Sequence, residues 1–227
     1  MSIKSKILAA TAALTVVGGL GTAGALSANA ATPSCGDSCI NIFSRQFGTH
    51  RHPNFVLDVW RQTARVGQPI ILFRTSNSDK AEDFTVSNQG TVADFFAAGL
   101  VSAALNLHYA NDEAFEFEYS PLGADSGLCV GVAGTPVNGT PVSLQPCGVS
   151  AKTVWVVDSA DTIRGGYVPL INGADTNFSH PFVLHYPGNG HPTDTPRPQL
   201  NTYMLQKYSD GTVFDNELWG ANFGVLR

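Results

Sequence analysis

A chain of 227 residues with 13 basic and 18 acidic side chains, net charge −5, has no cationic excess for nucleic acid or an anionic membrane. It is long enough for one well-packed domain. Its four cysteines and its abundant turn residues argue for a loop-rich, cross-linked fold rather than a long-helix protein.

The first thirty residues read as a secretory signal peptide. Lys4 and Lys6 form a basic start, Ile7 to Leu26 carries no charge, and Ala28-Asn29-Ala30 is a small-x-small cleavage site. The expected mature protein is therefore soluble, secreted and extracellular, with no further apolar run long enough to span a bilayer. In an exported chain, four cysteines most simply mean two disulfides, and three pairings are formally open. Spacing favours a local Cys35–Cys39 clip and a Cys129–Cys147 bond across a hairpin. Residues 31–42 read as a polar, Cys-clipped arm ahead of the domain, which is placed at 43–227. His50 and His52 have chelating spacing but no evident third ligand, so no metal is expected.

Residues 54–86 form the first unit: NFVLDVW, a turn at Arg65–Gln68, PIILFR, a polar loop, then EDFTV. Residues 90–119 have no counterpart elsewhere and read as an insertion. Within it Ala93 to Tyr109 partly fits a helix, and Ala114 to Tyr119 alternates strictly, predicting a strand with aromatics inward and carboxylates outward. Residues 128–158 form the second unit. Two apolar runs flank the turn-rich Gly134 to Gly139 and lead to Val154-Trp155-Val156-Val157, which together read as a small antiparallel meander. Val56-Leu57-Asp58-Val59 aligns with Cys129-Val130-Gly131-Val132, and Pro69 to Leu72 with Pro141 to Leu144. This near-constant offset marks a repeated supersecondary unit. A third unit is expected over 168–224, opened by Leu170-Ile171-Asn172-Gly173, with Pro181 to Leu184 as its second strand. A further insertion is expected near 187–212, and Trp219 falls in the place of Trp155.

Many short strands in a repeat of roughly forty residues favour a closed antiparallel barrel, with a β-sandwich as the alternative. Cys129-Val130-Gly131-Val132, Asn138-Gly139-Thr140-Pro141-Val142-Ser143-Leu144-Gln145-Pro146-Cys147 and Thr153-Val154-Trp155 together resemble one repeat of the ricin B-type β-trefoil lectins. The resemblance implies an all-β trefoil of three pseudo-repeats, a six-stranded barrel with a hairpin cap. It also implies a secreted, non-catalytic carbohydrate-binding protein. In that family a carboxylate on one strand, an aromatic ring after the next and an amide beyond it hold the sugar. Carried over, these positions fall on Asp58, Phe73 and Asn77 in the first unit. In the second they are Gly131 and Gln145, which cannot make a pocket. In the third they are Ile171 or Asn172 with His185 or Tyr186, an altered pocket. The family's glutamine before the core tryptophan is replaced by Glu82, Thr153 and Glu217.

Two other readings stand beside this one. A trefoil without a sugar site presents its insertions as surfaces for a protein partner, as an interaction or inhibitor module. Alternatively, Asp112, Glu113, Glu116 and Glu118 could hide a glycosidase pair, although a solvated strand face explains them better. The chain has no G-x-S-x-G, H-E-x-x-H or phosphate-loop motif, so no catalytic residue and no cofactor is expected.

Overall fold

The computed structural model describes residues 39–48, 55–76, 80–161, 166–188, 192 and 198–223. Residues 1–38, with the expected signal peptide and Cys35, lie outside them, as do His50, His52 and Asn77. Twelve strands carry the fold: β1 (Ile40–Ser44), β2 (Phe55–Val59), β3 (Ile70–Arg74), β4 (Phe84–Thr91), β5 (Glu113–Tyr119), β6 (Leu128–Val132), β7 (Thr140–Pro146), β8 (Trp155–Val157), β9 (Leu170–Asn172), β10 (Phe182–His185), β11 (Asn201–Met204) and β12 (Trp219–Phe223).

Six of these strands close on themselves. β1 pairs with β4, β4 with β5, β5 with β8, β8 with β9, and β12 with β1. The ring is completed by a bridge between Val168, just before β9, and Trp219 in β12, whose amides and carbonyls exchange bonds of 3.0 and 2.9 Å. Closure leaves no barrel edge to pair with another chain. The other six strands form three hairpins, β2–β3, β6–β7 and β10–β11. The hairpins meet as a triangle through Pro69–Ser143, Pro141–Asn201 and Ile71–Gln199. Three bonds tie its corners: Leu144 N donates to Gln68 O at 2.9 Å, Val142 N to Leu200 O at 2.8 Å, and Leu200 N to Ile70 O at 2.9 Å. A six-stranded barrel capped by three hairpins is the β-trefoil expected from the sequence, and the sandwich is excluded.

The threefold relation is explicit in the core. The indole Nε1 of Trp155 donates to Val130 O at 2.9 Å, and that of Trp219 donates to Leu184 O at 2.8 Å. Phe84 stands at the same point of the first lobe, without an N–H. Leu57, Val130 and Leu184 are fully buried with these three rings in one cluster, which also takes in Leu170.

This geometry corrects the sequence reading in four places. Counterparts of β2 and β6 are found in β10, not in Leu170 to Asn172, so the third unit is shifted by one strand; β9 is the partner in symmetry of β1 and β5. The second unit is not a meander, because β8 leaves the hairpin to pair with β5 and β9. The barrel starts at Ile40, so residues 40–42 belong to it and not to the arm. Neither insertion is as long as expected: β5 is a barrel strand at the end of 90–119, and β11, inside 187–212, is a hairpin strand.

What remains extra between β4 and β5 is helical. Thr91 and Asp94 form a reciprocal capping box at the start of α1 (Val92–Ala97), and Ser102 caps α2 (Ala103–Tyr109) by accepting from Leu105 N. Gly99, at φ +75°, turns the chain between them. Val92, Phe95 and Leu105 pack on Val154, Val156, Ile171 and Val183, a second apolar cluster outside the barrel. Among the described residues no helix is long and apolar enough to cross a membrane.

Candidate functional site

Hairpin register defines where a trefoil can hold a ligand. Alternation puts the residues flanking Leu57, Val130 and Leu184 on the face away from the core. Asp58 opposes Ile71 and Val56 opposes Phe73 in the first lobe; Gly131 opposes Ser143 and Cys129 opposes Gln145 in the second; His185 opposes Asn201 and Val183 opposes Tyr203 in the third. The positions equivalent to Asp58 and Phe73 are thus Gly131 and Gln145, then His185 and Tyr203.

In the third lobe these residues make a polar cluster. His185 is 8% exposed, and its Nδ1 lies 2.8 Å from Asn201 Oδ1. Its Nε2 lies 3.0 Å from Asn216 Nδ2, which also donates to Tyr186 O at 3.2 Å. An amide oxygen can only accept, so Nδ1 carries the proton and Nε2 accepts from Asn216. Both nitrogens are satisfied in the neutral ring, and burial pushes its pKa below the usual histidine value despite the bond to Asn201. The Tyr203 ring sits 4.9 Å from the imidazole, tilted by 31°. Asn201, Tyr203 and Asn216 are half-buried, so the cluster meets the surface. The cluster's bond to Asn201 is made through its Oδ1, not its Nδ2.

Of the three residues expected in this pocket, only His185 belongs to it. Asn172 is fully buried in β9, where its Nδ2 donates to Lys152 O at 3.0 Å and its Oδ1 accepts from Ala174 N at 3.2 Å. Tyr186 is a core residue, 1% exposed, with its ring edge-on to Phe47 at 5.1 Å. The sequence reading missed Asn201, Tyr203 and Asn216. The available signal was distance from the core tryptophan: Asn216 precedes Trp219 by three.

In the first lobe Asp58 and Phe73 share one face as diagonal neighbours of a strand pair. Asp58 is 5% exposed and Phe73 half-buried. The third expected member, Asn77, falls outside the described residues. The second lobe is closed. A Cβ on Gly131 would lie 2.6 Å from Lys152 O and 2.9 Å from Thr153 Cγ2, so no side chain fits where a carboxylate would be needed. Cys129 and Cys147 are joined there, with Cα atoms 5.0 Å apart. Cys39 is also disulfide-bonded.

The replaced glutamine position has a structural task. Glu82 accepts from Ser76 N at 2.8 and 3.1 Å, and Glu217 accepts from Gln206 N at 2.8 Å. Ser76 and Gln206 each lie three residues beyond Phe73 and Tyr203. The second-lobe equivalent, Gly148 N, donates at 2.9 Å to Glu116 Oε1, which also accepts from Thr153 Oγ1. Each lobe therefore ties down the loop after its hairpin with a buried carboxylate. This overturns the solvated face expected for Glu116 and Glu118. Glu116 is fully buried and also bonded by Asn88, and Glu118 is 7% exposed and accepts from Gly127 N at 2.6 Å. Both faces of β5 are covered, so alternation there separates two buried environments. Among the described residues no group of three or more His, Cys, Asp or Glu is placed to hold a metal ion.

No family model and no curated protein sequence matches the chain. Solved structures do. The designed threefold-symmetric protein ThreeFoil superposes with a TM-score of 0.51 at 16% identity, over 81% of this chain and 97% of its own. A mosquitocidal holotoxin superposes at 0.50 with 11% identity, over 81% of this chain and 17% of the toxin. The Rhizoctonia solani agglutinin gives 0.46 at 16% identity, over 81% and 94%. At such identities likeness speaks for architecture alone, and the two superpositions at 0.50 and above, with the closed barrel and its triangle of hairpins, establish the chain as a β-trefoil.

Proposed function

We propose that this protein is an exported, non-catalytic carbohydrate-binding module whose working site is the outer face of the third hairpin. One observation carries the reading: Tyr203 lies beside the bonded trio His185, Asn201 and Asn216, at the register where the resembling family holds its sugar. A half-buried ring offers an apolar face to a pyranose, and amides held in place by the imidazole supply directional bonds to hydroxyls. The sequence-stated pocket at Asp58, Phe73 and Asn77 is the competing location for the same activity.

Affinity chromatography on immobilised polysaccharides, followed by calorimetry on the retained glycan, tests the reading. Tyr203→Ala and Asn216→Ala are expected to weaken binding at least tenfold, while Asp58→Ala leaves it within twofold. Loss through Asp58→Ala alone moves the site to the first lobe. Absence of binding by the wild-type protein to a broad glycan set sinks the carbohydrate reading and favours the protein-interaction alternative. Binding is also expected to fall below the usual histidine range, because a proton on Nε2 faces the amide donor of Asn216.

A further inference from the structure

The barrel's interior is not filled at the end away from the hairpins. An apolar cavity of about 240 Å³ opens there. Its cause is legible in the strands. Inward positions recur every second residue, so the layer beneath the core aromatics consists of Val86 after Phe84, Val157 after Trp155, and Ala221 after Trp219. Three small side chains must close a barrel that three large rings fill one layer above. The third lobe contributes the smallest, and Gly220 and Gly166 add no bulk beside it. Beside this layer the wall is Phe117 and Phe115 of β5, paired with Val86 and Trp155, and their rings lie 4.4 Å apart.

We propose that this cavity is a second binding site, for a small apolar molecule with a neutral or cationic polar end. Protein interiors are close-packed, with few voids larger than a water, so a space of this size amid Ile42, Phe117, Leu170 and Trp219 departs from ordinary packing. Its lining is predominantly apolar, so a hydrocarbon gains by displacing water from it. The polar side chains of the lining are Gln89 and Glu113, both exposed and on paired strands, which marks the mouth. Among the described residues Glu113 is the one charged group lining the cavity. A carboxylate at the mouth attracts an ammonium or a hydrogen-bond donor and repels an anion, which selects against fatty acids. The cavity lies at the end of the barrel away from the hairpin faces, so the two sites are spatially separate.

The probe is N-phenyl-1-naphthylamine, whose emission rises in apolar surroundings, displaced by phenethylamine or by 3-phenylpropanoate. Expected are saturable one-site binding, displacement at least tenfold more effective with the amine, and an increased midpoint of thermal unfolding for the wild-type protein with phenethylamine. Ala221→Leu and Val157→Phe fill the space from two walls, and either, when folded, should weaken probe binding at least tenfold while leaving hairpin-site glycan binding intact. Lack of saturable binding, or retention of affinity within twofold in a folded filled variant, overturns the site. Equal displacement by the propanoate overturns the assigned ligand chemistry. Failure of both variants to fold leaves the wild-type thermal shift to decide, and no shift with phenethylamine counts against the site.

Discussion

The second and third hairpins have the same register and the same indole-to-carbonyl anchor, yet one face is sealed and the other carries a polar cluster that meets the surface. In the second lobe the Lys152 carbonyl, held by Asn172 Nδ2, presses on Gly131. In the third the residue at the place of Lys152 is Asn216, and its side chain reaches His185. Both lobes keep a buried carboxylate on the amide three residues beyond the hairpin's outer ring position, Glu116 on Gly148 and Glu217 on Gln206. Scaffold bonds are therefore retained where site residues have diverged. Threefold symmetry constrains what faces the barrel and leaves the outer face free to specialise.

The most severe way to break the comparison is to give the second lobe the carboxylate it lacks. Gly131→Asp drives a Cβ into the Lys152–Thr153 backbone and a charge into a covered site, and a loss of about 4 kcal/mol is expected. Chemical denaturation measures it, and a stable variant that gains sugar binding would refute the claim that this lobe is sealed. Next in size is the disulfide. Replacing Cys129 and Cys147 together by serine frees a separation of 18 residues and should cost about 3 kcal/mol by releasing the unfolded chain. Third-lobe binding should persist at temperatures where the variant remains folded, since the cross-link lies in a different hairpin.

How far the sequence could be read follows the same division. The second lobe was legible because its cysteines, its NGT turn and Trp155 each fix a different point of the unit, and the Cys129–Cys147 bond lies where that spacing put it. The third lobe was misaligned because Leu170-Ile171-Asn172 and Val183-Leu184-His185 have the same strand chemistry. The pairing of β10 with β11 and the hydrogen bond from Trp219 to Leu184 show which belongs to the hairpin. Counting back from that tryptophan would have found Asn216, and matching Gln145 across the register would have found Tyr203. Glu116 and Glu118 were read as solvated because alternation reports two faces but not what covers each; their burial depends on amides distant in sequence, at Gly148 and Gly127. The helices were legible only in part, since Gly99 and Ser102 break one amphipathic run into two short, capped pieces.

A pH-dependent effect sharpens the comparison most, because it separates the scaffold carboxylate from the site beside it. Glu217 is fully buried, and removal from water pushes its pKa up to about 7, with the bond from Gln206 N opposing the rise. A carboxyl whose native value lies above its unfolded one binds more protons in the native state across that interval. Its contribution to stability is therefore full below the ordinary carboxylate value and is lost as pH rises toward 7. Glu217→Gln keeps an oxygen for Gln206 N and removes the charge. Relative to the wild type, the variant should be about equal at pH 4 and more stable by up to about 3 kcal/mol at pH 8. Taking the difference between the two proteins at each pH cancels the other buried acids and His185. A difference that does not change between pH 4 and pH 8 would show that Glu217 is held ionised throughout, and that the third-lobe latch is an ordinary charged bond rather than a carboxyl titrating near neutrality.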